Sequence, residues 1–203
     1  MKPTFLLCHG FGFTHEYWRN LIPLLDGDVV YFDKNFIEDR RYIGIGHSIG
    51  FQKLNNSAIK FDYLIGLQGF TNFCGTEEEA KEIREQNIDR MMEMYGTNAT
   101  KSLQMFHNIC GYDGSMPENV IAEELIADLQ SMKRKYECRC DCPILIIGSD
   151  DDEIVPPSIL DDNFKHMQNV SLKKINNVSH LLGFKKAEEV AEKISAAVTE
   201  ISR

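Results

Sequence analysis

Short apolar runs recur along the chain and are separated by longer segments of mixed polarity. Thr4-Phe5-Leu6-Leu7-Cys8 and Pro143-Ile144-Leu145-Ile146-Ile147-Gly148 are two of them. Apolar runs of about 4 to 8 residues that end at turn-forming residues predict strands buried on both faces, as in parallel sheets. Comparable runs predict strands at 28–33, from Tyr42 up to Gly46, at 61–67 and at 170–175.

Helical patterns lie between these strands. They cover 14–24, 157–167 and the segment from Lys185 onward. Strands that alternate with helices are typical of a parallel sheet covered on both faces. The fold class predicted is therefore a compact α/β fold in which a mostly parallel sheet carries helices on both faces.

A purely helical region interrupts this alternation between Thr76 and Cys140. Thr76-Glu77-Glu78-Glu79 has the form of a capping box, and helices are expected at 76–95, 98–109 and 117–135. We assign residues 1–75 and 141–203 to an α/β core and residues 76–140 to an inserted helical lid. Ligands of open α/β sheets bind at the carboxyl ends of the strands, so the lid should cover that edge.

The strand that starts at Tyr42 runs directly into Gly46-His47-Ser48-Ile49-Gly50. A Gly-x-Ser-x-Gly sequence between a strand and a helix predicts a sharp turn that exposes the serine hydroxyl at its apex. The two glycines leave space where the helix closes against the strand. Ser48 is therefore the candidate nucleophile, and His47 beside it is expected to point away from the reacting group.

A serine hydroxyl needs a base to take its proton and an acid to orient that base. His180, in the loop after the last predicted strand, is the candidate base. Asp152 is the candidate acid because the apolar Ile154-Val155-Pro156 follows it closely and would anchor it. Asp151 remains the alternative acid.

The negative oxygen of an acyl-transfer intermediate needs hydrogen-bond donors. The backbone N–H of Ile49, directly after Ser48, is one candidate. The backbone N–H of Phe11, in the loop His9-Gly10-Phe11-Gly12, is the other, because its flanking glycines allow close approach of the main chain.

Composition narrows the classes of function. A net charge of -9 argues against nucleic acid as a partner. No apolar run has membrane-spanning length and no signal peptide is recognisable, so a cytoplasmic protein is expected. We also expect it to be a monomer. The six cysteines are then expected to be reduced. Cys138-Arg139-Cys140-Asp141-Cys142 lacks the spacing and second pair of a metal site, and no metal is expected there.

The order Ser48, Asp152, His180 along the chain, with His-Gly-Phe-Gly near its start, resembles the α/β-hydrolase superfamily. A closer similarity is to the short pimeloyl-[acyl-carrier protein] methyl ester esterases of biotin synthesis. It rests on His9-Gly10-Phe11-Gly12, Tyr17-Trp18, Phe70-Thr71-Asn72-Phe73 and Phe106-His107-Asn108-Ile109-Cys110-Gly111. The sequence departs from full-length members between Asp33 and Tyr42, where there is no room for their usual helix.

This resemblance implies a serine carboxylesterase that needs no cofactor and cleaves the methyl ester of an acyl chain held on acyl carrier protein. It implies that Phe106 faces the acyl chain. Carrier proteins are acidic, so Lys133, Arg134, Lys135 and Arg139 are the expected docking residues. A thioesterase or general carboxylesterase on another acyl group remains open, as does a non-catalytic ligand-binding homologue.

Overall fold

The computed structural model describes residues 2–32 and 40–201. Within these ranges six strands form one sheet in the order β2-β1-β3-β4-β5-β6, and all neighbours are parallel. The strands are β1 Thr4–Cys8, β2 Asp28–Tyr31, β3 Tyr42–His47, β4 Phe61–Leu67, β5 Ile144–Gly148 and β6 Val170–Lys174. The predicted absence of a helix between Asp33 and Tyr42 concerns residues 33–39, which lie outside the described residues.

Helices cover both faces of this sheet. They are α1 Ile49–Asn55, α2 Glu78–Cys110, α3 Ala122–Met132, α4 Pro157–Phe164, α5 Leu182–Lys185 and α6 Ala187–Ile201. Successive strand residues point to opposite faces, so Leu7 packs in one apolar cluster with Val190 of α6, while Leu6 packs in another with Phe51 of α1. The α/β prediction is confirmed.

The segment predicted as one helix at 14–24 is instead two 3₁₀ helices, His15–Trp18 and Ile22–Leu24. Pro23 explains the difference, because it lacks the N–H that an α-helix would need at that position. Tyr17 and Trp18 are nevertheless fully buried, as the apolar pattern indicated.

The region between β4 and β5 is helical, and α2 is longer than either helix predicted there. One non-helical residue, Asn98 (φ -156°, ψ 88°), interrupts it, and its side chain accepts the N–H of Lys101. The capping box does not form as expected. Glu77, rather than Thr76, accepts the first free N–H groups of α2, while the Thr76 hydroxyl donates to Asp162.

Cys140 and Cys142 form a disulfide, which corrects the expectation that every cysteine is a free thiol. The two cysteines are two positions apart in the segment that connects α3 to β5. Cys8, Cys74, Cys110 and Cys138 are free. No helix in residues 2–32 and 40–201 is both long and apolar enough to cross a bilayer.

Gly50 is where α1 comes closest to the sheet. A Cβ there would lie 2.1 Å from the carbonyl oxygen of Cys8. We predict that Gly50→Ala lowers the free energy of unfolding by about 3 kcal/mol, since neither backbone segment can move without disturbing β1 or the turn at Ser48. Gly96→Ala, in α2 with nothing within 4 Å of the added Cβ, is the control and should raise stability by roughly 0.5–1 kcal/mol. Denaturant unfolding measures both, and equal effects would contradict the close approach.

Candidate active site

Ser48 lies at the turn from β3 into α1. Its backbone is in a strained region for a non-glycine residue (φ 54°, ψ -125°), as the motif predicted. The turn is possible because Gly46 has no side chain: a Cβ there would lie 2.3 Å from the backbone nitrogen of Phe51. This geometry places the Ser48 side chain at the carboxyl edge of the sheet, at the start of a helix.

His180 and Asp152 form a buried hydrogen-bonded pair. The Nδ1–H of His180 donates to Oδ2 of Asp152 at 2.8 Å, and each residue is 2 % exposed. The other carboxylate oxygen, Oδ1, accepts the backbone N–H groups of Ile154 at 2.8 Å and Val155 at 3.1 Å. These bonds fix the carboxylate and leave Nε2 of His180 as the nitrogen available to a substrate-side proton.

Asp151, the alternative acid, makes no hydrogen bond to His180 among the described residues. It is exposed, and its carboxylate accepts the backbone N–H of Asn177 at 2.7 Å. The structure therefore pairs His180 with Asp152 and uses Asp151 to hold the start of the loop that carries His180.

Ser48 and His180 line the same cavity. Within the described part of the chain, no hydrogen bond joins the Ser48 hydroxyl to His180. Hydrogen bonds between catalytic groups are commonly long in the absence of substrate and shorten when it binds. The structure places both side chains at one cavity. The hydrogen bond between the Ser48 hydroxyl and His180 that proton transfer requires is not formed among the described residues.

Phe11 and Ile49 are both buried residues; Phe11 lines the same cavity as Ser48, and Ile49 directly follows Ser48 in the chain. Among the described residues, neither N–H donates a hydrogen bond to another backbone group or side chain. The loop of Phe11 turns at Gly12, whose φ of 69° favours glycine. Two amide donors with no other partner are the arrangement expected of an oxyanion hole.

A cavity of about 360 Å³ extends from Ser48 and His180 to the side chains of α2. Its walls are mostly apolar and come largely from α2, with Met91, Met94, Met105, Phe106 and Ile109 among them. Phe106 packs edge-on against Phe11, with ring centroids 5.4 Å apart. The aromatic residue expected to face an acyl chain therefore lies beside a candidate oxyanion donor.

Solved structures with similar backbones identify this architecture. An esterase from Exiguobacterium antarcticum matches with a TM-score of 0.70 and 13 % identity over 99 % of this chain and 92 % of that chain. A Bacillus megaterium epoxide hydrolase matches with a TM-score of 0.71 and 15 % identity over 98 % and 94 %. A thermophilic esterase from Thermogutta terrifontis matches with a TM-score of 0.65 and 16 % identity over 98 % and 90 %. The fold is that of the α/β-hydrolases.

No protein-family model and no curated protein matches the sequence. Identities of this size establish the shared α/β-hydrolase fold alone, and the reaction must be argued from the residues of the site.

One of the four basic residues that follow α3 and were expected to dock a carrier protein is in an ion pair. Lys133 binds the carboxylate of Asp89, with Nζ 2.8 and 3.0 Å from its two oxygens. Arg134, Lys135 and Arg139 are exposed, and none of them forms an ion pair within the described residues. The expected docking set is thus three exposed cations and one whose charge is already paired.

His47 was expected to point away from the reacting group, and its contacts show where its ring lies. Its ring is fully buried, stacked on Tyr17 with centroids 4.2 Å apart, and bonded through Nε2 to the carbonyl oxygen of His180 at 2.9 Å. Burial lowers the pKa of His47 well below its ordinary value, so the ring is neutral. Sequence reasoning missed this contact, and it missed Gln68 and Ser149, which bind the same loop.

Proposed function

We propose that this α/β-hydrolase is a serine carboxylesterase in which Ser48 is the nucleophile, His180 the base and Asp152 the orienting acid. The observation that carries the proposal is a cavity lined both by Ser48, whose backbone is strained, and by His180, whose ring is bonded to the buried carboxylate of Asp152. The names of the structural neighbours include esterases, a lipase and a phospholipase, which agrees with ester hydrolysis.

Acyl-enzyme formation follows from these roles. Oγ of Ser48 attacks the ester carbonyl carbon as Nε2 of His180 takes the hydroxyl proton, and Asp152 stabilises the imidazolium that forms. The N–H groups of Phe11 and Ile49 hold the oxyanion. When the intermediate collapses, the carbon–oxygen ester bond breaks and His180 returns the proton to the leaving alcohol.

Water completes the cycle by the same steps. His180 takes a proton from a water molecule that attacks the acyl carbon, and the bond to Oγ of Ser48 then breaks. The proton returns to Ser48 and the carboxylic acid leaves. Epoxide hydrolysis, the activity in one neighbour's name, is disfavoured here because a serine stands where epoxide-opening members of the superfamily carry an aspartate.

The proposed substrate is the methyl ester of a pimeloyl chain on acyl carrier protein. The flexible, polarisable side chains of Met91, Met94 and Met105 suit a cavity that takes an alkyl chain. Arg134, Lys135 and Arg139 supply exposed positive charge for an acidic carrier. A thioesterase or general carboxylesterase acting on another acyl group is the alternative, since the same groups would catalyse it.

We predict that kcat/KM for p-nitrophenyl esters rises from acetate to hexanoate by roughly 200-fold, because each methylene buried in the cavity contributes about 0.8 kcal/mol. Phe106→Ala should flatten this dependence by removing part of the wall. Ile83→Ala, on the same helix but outside the cavity and half exposed, is the matched control. A dependence that Phe106→Ala leaves unchanged would remove Phe106 from the acyl site.

A separate prediction compares the carrier-bound methyl ester with a free ester of the same acid. Pimeloyl-carrier methyl ester should be hydrolysed with a higher kcat/KM than free dimethyl pimelate. Replacing Arg134, Lys135 and Arg139 together by glutamine should raise KM for the carrier substrate and leave the free ester unaffected. Turnover of the free esters alone would refute the biotin-pathway assignment while leaving the esterase intact.

A further inference from the structure

Three side chains hold the loop that delivers His180. The Ser149 hydroxyl donates to the carbonyl oxygen of Val178. Nε2 of Gln68 donates to that of Ser179 at 3.1 Å, and Nε2 of His47 bonds to that of His180 at 2.9 Å. Consecutive carbonyl groups of one loop therefore each have a side-chain partner.

The partners have a common position in the fold. His47 is the last residue of β3, Gln68 directly follows β4, and Ser149 directly follows β5. These strands are neighbours in the sheet. The loop thus crosses the carboxyl edge from β5 to β3, with one carbonyl bound at the end of each strand, and reaches His180 beside the strand whose next residue is Ser48.

Two of the three side chains also contain a second polar atom that is buried. All three donors are fully buried. Nδ1 of His47 and Oε1 of Gln68 are buried without a hydrogen-bond partner among the described residues. A buried polar atom without a partner destabilises the fold, whereas the other end of each of these two side chains bonds a carbonyl group of the loop. Their donor atoms face the loop, and their acceptor atoms are left unpaired.

We propose that His47, Gln68 and Ser149 are positioning residues that set the place of the His180 imidazole relative to Ser48. The inference rests on the proposed esterase function for its consequence in catalysis. Asp152 fixes the rotation of the ring through Nδ1, and the three donors fix the main chain from which the ring projects. Because His47 and Ser48 are adjacent, one turn of the backbone holds both the nucleophile and the carbonyl of its base.

The position of His47 offers a matched pair of variants. His47→Gln retains an Nε2 donor, which we expect to bond the carbonyl oxygen of His180, whereas His47→Met has a similar length and no donor. Both lose the ring stacked on Tyr17. We expect His47→Met to lower kcat for p-nitrophenyl hexanoate by about 100-fold, because a displacement of about 1 Å in a catalytic group has that effect. KM should change little, and His47→Gln should recover most of the loss.

Gln68→Met gives an independent test that does not depend on His47 variants folding. It removes the donor to Ser179 and also the unpaired Oε1, so the thermal midpoint should stay near that of the wild type while kcat falls. A structural role alone would lower the midpoint and leave kcat of the folded fraction unchanged. Wild-type kcat in folded Gln68→Met, or equal losses in His47→Gln and His47→Met, would overturn the proposal.

A spectroscopic readout separates this inference from the esterase assignment. The Nδ1–H proton of His180, bonded to Asp152, should give a low-field proton resonance that Asp152→Asn removes. We expect it to shift or broaden in His47→Met and Gln68→Met and to persist in His47→Gln. An unchanged resonance in all variants would contradict the positioning role, whereas a wild type inactive on every ester would refute the esterase alone.

Discussion

Ser48→Ala should lower kcat for any ester that the wild type hydrolyses by about 10⁶-fold, the scale on which loss of a serine nucleophile acts in enzymes of this mechanism. No other hydroxyl in the described residues combines a position in the cavity with the turn between β3 and α1. Initial rates at saturating substrate measure the effect. Ser195→Ala, on an exposed position of α6, is the control and should match the wild type.

The fold should survive this change. Alanine at position 48 meets the same left-handed backbone strain as serine, and the variant loses only a hydroxyl that makes no hydrogen bond within the described residues. Its thermal midpoint should therefore stay close to that of the wild type. A folded Ser48→Ala variant with more than a hundredth of the wild-type kcat would contradict the nucleophile assignment.

Asp152→Asn should lower kcat by about 10⁴-fold, since an amide facing Nδ1 of His180 would favour the wrong tautomer of the imidazole. Its carbonyl oxygen can still accept the N–H groups of Ile154 and Val155, so the loop should keep its shape. Asp151→Asn is the matched control one residue away. It removes charge from a carboxylate that bonds only Asn177 among the described residues, and kcat should change by no more than about threefold.

The two aspartates can be compared directly by their kcat values under one set of conditions. A large loss in Asp151→Asn with a near-normal Asp152→Asn would reverse the assignment of the acid. Similar large losses in both would show that the loop, rather than one carboxylate, is the sensitive element.

The parts of the site that sequence patterns predict are those encoded locally. The turn at Ser48 follows from an apolar strand that runs into Gly-x-Ser-x-Gly, because both glycine positions are close approaches of backbone to backbone. The sequence favours Asp152 over Asp151 because the apolar Ile154-Val155-Pro156 follows it, and in the structure the N–H groups of Ile154 and Val155 bind its Oδ1.

Features that depend on distant segments could not be predicted in this way. His47 contacts the carbonyl oxygen of His180, which lies 133 residues later in the chain. The pairing of Lys133 with Asp89 depends on how α3 and the following segment pack on α2. A signal was nevertheless present for the donors: His47, Gln68 and Ser149 are polar residues placed where buried apolar strands end. Such residues lie at the edge where the loops of the site converge.

In the proposed mechanism, His180 activates the hydroxyl of Ser48 for attack on an acyl carbon. Intact-protein mass spectrometry after treatment with a fluorophosphonate, followed by peptide mapping, tests it most directly. We predict a single adduct on Ser48 in the wild type, much slower labelling in Asp152→Asn and none in Ser48→Ala. Absence of an adduct in folded wild-type protein, or an adduct on another residue, would contradict it and favour a non-catalytic ligand-binding protein.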